Sequence, residues 1–174
     1  GYKALRQTTA TTGATAVGGE ALSYYTAAPG CTAVGIRAMG AGNGTVTNAT
    51  AVGYETMMWN TGANNTACGY QALRDNMVGE ENVAIGHSAL DCAALNSITR
   101  STALFAMEFS ASETDATAFG SIFMNGGNSN TSMGRGNMIS LTNGTHNTAM
   151  GESSLTDNTA GDQNTCLGFE TNVT

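Results

Sequence analysis

The side chains able to do acid–base, nucleophilic or metal chemistry are few in this 174-residue chain, and their spacing does not suit it. The histidines are His87 and His146, far apart in the chain and each without a neighbouring cluster of ligand-type residues. Cys31, Cys68, Cys92 and Cys166 form no CxxC pair, which argues against a zinc or thiol-redox centre. The close acidic pairs are Glu80–Glu81 and Glu113/Asp115. Glycoside hydrolysis needs two carboxylates roughly 5 to 9.5 Å apart across a cleft, whereas adjacent loop carboxylates read as solvated charge. No serine lies in a GxSxG elbow. A phosphate-binding loop, a dinucleotide-binding GxGxxG after a strand and the calcium-binding nonapeptide are also missing. The expectation is therefore no catalytic, metal-binding or cofactor-binding residue, no cofactor, and a chain that is not an enzyme. What remains is contact chemistry. Tyr54, Trp59 and Tyr70 are aromatic residues able to stack on sugars, and are the candidate receptor or glycan contacts.

Composition narrows the partners. Charged residues make up 11%, against about a quarter in ordinary domains, and the net charge is −7. The six basic residues are scattered, so neither nucleic acid nor an anionic membrane is an expected partner. No apolar run approaches the ~18 residues that read as a membrane span. The chain holds 26 threonines, 17 asparagines and 23 glycines, which suit short strands and tight turns far better than helices.

The elements that position these residues are repeats. Aligned on one glycine, the chain reads TAVGGEAL, TAVGIRAM, TAVGYETM, TACGYQAL and VAIGHSAL, then continues more loosely to TAMGESSL and TCLGFETN. The anchors are Gly18, Gly35, Gly53, Gly69, Gly86, Gly120, Gly134, Gly151 and Gly168, with Gly1 opening the chain and Phe105 standing in for one glycine. Their spacing runs from 14 to 19 residues and averages about 17. Three before the anchor stands Thr in every complete unit but one, where Val83 takes its place, two before it a small residue, and one before it an apolar residue. Four after it stands Leu, Met or Phe, except at Asn172 in the last unit. A period near 17 is too short for helix-pair repeats and fits one coil of a parallel β-solenoid.

The fold expectation is an all-β, parallel β-solenoid (β-roll) of about eleven coils, a single repeat domain over 1–174, with irregular coils at 91–134. The chain begins on the tail of a unit and reads as an excerpt of a longer protein. Alternation places Thr and the Val-type residue on one strand face, Ala and the anchor glycine on the other. The larger apolar column is taken as the core face, so the Thr row turns inward with it. The anchors are expected to need positive φ or close backbone approach. Equivalent positions two coils apart lie about 9.6 Å apart, beyond the ~7 Å a disulfide tolerates. Cys31, Cys68, Cys92 and Cys166 are therefore expected as buried free thiols, with interchain pairing in a trimer the alternative.

Asn82-Val83-Ala84-Ile85-Gly86 resembles the NSVAIG repeat of YadA-like trimeric autotransporter heads, which are left-handed parallel β-rolls. Asn65-Thr66-Ala67-Cys68-Gly69-Tyr70-Gln71-Ala72-Leu73 is similar to the NTAVGYQAL repeat of bacteriophage tail fibres and large bacterial surface proteins. The resemblance covers essentially the whole chain. The longer period and the Thr in place of Val lean toward the phage-fibre version. It implies a homotrimeric rod on a virion, or at the cell surface or outside the cell, that presents or contributes to binding of a host-surface glycan or protein receptor. A trimeric adhesin or a self-assembling surface filament is the alternative. A coil this thin buries little apolar area, so a second apolar stripe against sister chains is expected. The Met39, Met57, Met124 and Met138 column is one candidate for it, intrachain core the other reading. An ice-binding solenoid is a further alternative, disfavoured because its threonine ladder has to face outward.

Overall fold

Each short strand of the main sheet is the segment just before an anchor position, where β-branched Thr and Val favour extended backbone and the following residue ends it. The computed structural model describes residues 1–92, 98–105, 107–109, 115–120, 122–124 and 127–173. In chain order the strands are β1 (Thr15–Val17), β2 (Thr32–Val34), β3 (Thr50–Val52), β4 (Thr66–Cys68), β5 (Val83–Ile85), β6 (Ala89–Cys92), β7 (Thr102–Leu104), β8 (Met107–Phe109), β9 (Thr117–Phe119), β10 (Ile122–Met124), β11 (Thr131–Met133), β12 (Thr148–Met150) and β13 (Thr165–Leu167). Ten of them form one parallel sheet in the order β1-β2-β3-β4-β5-β7-β9-β11-β12-β13. Equivalent repeat positions pair from rung to rung, Thr on Thr and Val on Val in Thr32↔Thr50 and Val34↔Val52, Thr on Val in Thr66↔Val83. The protein is a parallel β-solenoid, and the repeat columns of the sequence are its physical ladders.

The sheet has ten rungs where eleven coils were expected. The opening unit supplies only the stretch after its anchor, which docks on the next coil through Glu20 N–H to Tyr2 O and Leu5 N–H to Ala21 O. Between Ala89 and Met124, overlapping the stretch expected to be irregular, a second parallel sheet of β6, β8 and β10 lies beside the main one, with a register shift between Ala89 and Asp91.

The anchor glycines are required twice over. At Gly35, φ is +135°, a conformation L side chains rarely adopt, and an added Cβ would fall on the carbonyl oxygen of Gly53 in the next rung. After each anchor the chain turns a corner that places bulky residues in the left-handed region, such as Arg37 (φ 54) and Met39 (φ 51). Left-handed backbone costs about 1–2 kcal/mol for such a residue. Burying a Met or Leu contributes about 1.5–3 kcal/mol, so the corner roughly breaks even. The ladder holds it: Arg37 N–H donates to Gly19 O at 2.9 Å and Met39 N–H to Thr56 O at 2.9 Å.

The facing expected of the strands is reversed. Ala33, Ala51, Ala67, Ala84, Ala103, Ala118 and Ala149 are fully buried, while Val17, Val52, Ile85, Phe119, Met133, Met150 and Leu167 are exposed, Val17 by 55% and Leu167 by 62%. The interior explains it. The wall opposite each strand already carries one long side chain per coil: Leu22, Met39, Met57, Leu73, Leu90, Met138 and Leu155, all at 0% exposure. Only a methyl-sized residue fits between that wall and the strand. Met39, Met57 and Met138 are thus intrachain core and offer no stripe to a sister chain, and the side chain of Met124 lies outside the described residues. Cys31 and Cys166 are buried free thiols, but Cys68 sits in the outward column and is exposed, contrary to the expectation. The Cys92 side chain also lies outside the described residues.

Candidate contact surfaces

The outward face of the main sheet carries two in-register columns. One is threonine on nine of the ten rungs, from Thr15 to Thr165, with Val83 in its place on β5; the other runs Val17, Val34, Val52, Cys68, Ile85, Leu104, Phe119, Met133, Met150, Leu167. Neither column contains a charged residue. At about 4.8 Å per rung, the ten rungs make an apolar strip roughly 45 Å long.

Directly after the anchors the side chains turn outward again. Tyr54, Tyr70 and His87 hold this position on consecutive rungs and stack, with ring centroids 5.4 Å apart at 8° for the tyrosines and 4.9 Å at 14° for Tyr70 and His87. The structure therefore brings Tyr54 and Tyr70 together and adds His87, an exposed position at the end of the same stack. Trp59 does not join them. It lies past the next corner with Tyr24, and the two border a groove of about 430 Å³ lined also by Gln7, Ala41 and Asn43.

Two positions past the anchor, charges that look scattered in the sequence stand in one line. Lys3, Glu20, Arg37, Glu55 and Gln71 occupy consecutive rungs. The contacts are 3.7 Å for Lys3–Glu20, 3.2 Å for Arg37–Glu20, 3.1 Å for Arg37–Glu55 and 2.9 Å for the Gln71 amide donating to Glu55. Alternating sign makes each rung attract both neighbours. The Gln71 hydrogen bond, opposed by partial burial and joined by the Arg37 guanidinium, holds the Glu55 carboxyl below its usual value. Arg100–Asp115 at 2.7 Å and Arg135–Glu152 at 3.0 Å are further cross-rung pairs.

Four before the anchor stands a buried polar ladder. Asn82 donates its backbone N–H (2.9 Å) and side-chain amide (3.0 Å) to Asn65 Oδ1, and Ser101 N–H donates to Asn82 Oδ1 at 2.9 Å. Asn130, Asn147 and Asn164 repeat the pattern, and the amides of Asn65, Asn130 and Asn147 also donate to Gly79, Gly144 and Gly161 carbonyls. Asparagine read as a turn former thus has a second role here. The signal for it was its recurrence just ahead of the TAVG-type motif in Asn65, Asn82, Asn130, Asn147 and Asn164.

Among the described residues no three His, Cys, Asp or Glu side chains converge as a metal site, and no helix is long and apolar enough to cross a membrane. Comparison with known protein families, curated proteins and solved structures finds no match to this chain. The contact chemistry of the molecule thus rests on its own geometry: a flat apolar–threonine face, a stack of three rings, and the Tyr24–Trp59 groove.

Proposed function

We propose that this chain is a segment of a structural and adhesive fibre, a phage tail fibre or similar surface appendage, that assembles as a homotrimer and holds or contributes contacts to a host-surface glycan or protein receptor. The observation that carries the reading is the outward Val-type column. A contiguous, uncharged apolar strip spanning all ten rungs is larger than lone soluble chains usually leave bare. A threefold arrangement buries it against its own copies, since identical rungs at identical spacing are self-complementary along the axis. The ring stack and the Tyr24–Trp59 groove then supply outward contacts, multiplied by three through avidity.

The test is the solution mass of this chain by light scattering. A species near three times 17.7 kDa supports the fibre. A stable monomer overturns the trimer.

One observation favours a second reading. The threonine row shares the outward face, which removes the ground on which an ice-binding solenoid was disfavoured. Large Phe119, Met133 and Leu167 in the neighbouring column suit packing against protein better than ordering water. A thermal hysteresis measurement on a monomeric sample decides between them.

A further inference from the structure

The Tyr24–Trp59 groove has the dimensions and lining of a site for one sugar ring. Gln7, Tyr24, Ala41 and Trp59 hold the same repeat position, six past the anchor, on four consecutive rungs. Ala41 therefore lies between two exposed aromatic side chains, two rungs apart. Rungs recur at about 4.8 Å, so the two walls stand about 9.6 Å apart. The molecule itself shows what fills such a gap: Tyr54, Tyr70 and His87, one per rung, stack at 5.4 and 4.9 Å. At the Ala41 rung the repeat supplies a methyl in place of a ring, and the notch is one ring thick.

The walls are held apart by the interior. Tyr25, next to Tyr24, points inward, and its hydroxyl donates to the carbonyl of Asn60, next to Trp59, at 2.6 Å. The ring passes over Gly42, where an added Cβ would overlap it. This buried strut spans the same two rungs as the notch, so the spacing is set before any ligand arrives. The rim is polar and neutral. Asn43 occupies the column where Thr9, Thr26 and Thr61 commit their hydroxyls to carbonyls of the next rung, and it and Gln7 present amides that both donate and accept. The flanking charges are the exposed Arg6, next to Gln7 at one end, and one rung beyond Trp59 at the other end Arg74 and Asp75, which are paired with each other at 2.7 Å.

We propose that the notch formed by Tyr24, Ala41 and Trp59, edged by Gln7 and Asn43, binds a neutral pyranose ring, stacked between the two aromatic faces with its hydroxyls on the amides. The proposal rests on the adhesive reading and names its ligand class. Flat apolar faces with hydroxyls around the edge are what this lining complements. The lining itself carries no charged side chain, so recognition of a neutral ring needs no ion pair.

Trp59 is the single tryptophan of the chain, so its fluorescence reports this site directly. Titration with methyl β-D-glucopyranoside, N-acetylglucosamine and cellobiose is expected to give a saturable change in Trp59 emission for at least one of them. Ala41→Leu, which fills the notch, abolishes the response. Tyr24→Ala weakens it roughly tenfold, on the scale of a lost stacking partner, and Tyr25→Phe weakens it by loosening the strut. Phe169→Ala, an exposed aromatic on the last rung, leaves it unchanged. Circular dichroism of each variant establishes that the fold is retained, and Tyr24→Ser stands in if Ala41→Leu does not fold. The proposal is overturned by no saturable change up to about 100 mM sugar, by a response that survives both notch variants, or by a response only to aromatic peptides. Binding to whole cells is scored separately. Cell binding with a silent Trp59 sinks the site and leaves the adhesive reading standing, and a responding Trp59 without cell binding does the reverse.

Discussion

Ser132 stands where seven other rungs bury an alanine, and its hydroxyl is buried with no hydrogen-bond partner among the described residues. An orphaned buried hydroxyl costs about 1–3 kcal/mol, and the alanine column shows that a methyl fits there. Ser132→Ala is therefore expected to stabilise the chain by about 1 kcal/mol, read as a higher midpoint in denaturant unfolding; a lower midpoint would mean the hydroxyl is satisfied. Tyr25 makes the opposite case. Its phenol is raised well above its usual range, first by burial, yet its hydroxyl is satisfied by Asn60 O. In the sequence Tyr24 and Tyr25 are an indistinguishable pair. One residue step along the chain reverses the facing, making one a groove wall and the other the strut behind it.

At the scale of the ladders, the asparagine column and the charged column act between rungs rather than within them. Asn147 accepts from Asn164 and donates to Asn130 and Gly161. Asn147→Ala takes the acceptor from the Asn164 backbone N–H and amide and the amide donor from Gly161 O, while Asn130 Oδ1 keeps the backbone N–H of residue 147; the cost is about 2 kcal/mol, expected in the equilibrium unfolding free energy. The charged column gives a pH dependence. The Glu55 carboxyl is held below its ordinary value in the folded chain, so its contribution is present above the unfolded carboxylate pKa and is lost as pH falls through the folded one. An NMR titration is expected to place the Glu55 pKa below 4.5, and Gln71→Ala to move it back up. An unshifted Glu55 in the intact chain would show that the column is loose in solution. This alignment was hidden in the sequence. Lys3, Glu20, Arg37 and Glu55 are 17, 17 and 18 residues apart, and only rung stacking makes them neighbours.

For the whole molecule the decisive feature is the outward apolar column. Ile85 lies near its middle and is 43% exposed, outside the intrachain core. If the chain assembles as the trimer proposed above, Ile85→Lys is expected to leave the monomer fold intact by circular dichroism while reducing the solution mass from three chains to one, because a desolvated lysine at a self-contact faces its own copies. Retention of the trimeric mass in that variant would move the interface elsewhere on the rod.

Period, strand position, parallel register and the need for glycine at the anchors were all readable from the repeat, because each is a local or strictly periodic property. A 17-residue unit with TAVG at one phase can stack only on its own equivalents, and Gly35 and Gly69 show both the positive φ and the close approach that the spacing implied. Which strand face turns inward was not readable. Alternation separates Ala from Val but does not say which side is the core, and the larger apolar residue was the natural choice. The answer depended on the opposite wall, where Leu22, Met39 and Met57 already occupy the width of the coil. The same holds for the sugar-stacking candidates. Sequence named Tyr54, Trp59 and Tyr70 by residue type, but only the stacking of rungs and corners joined Tyr54 to Tyr70 and set Trp59 against Tyr24 across Ala41. Periodicity determines what lies above what along the axis; the cross-section of the coil, a tertiary property, decides what faces in, what faces out and what meets across a corner.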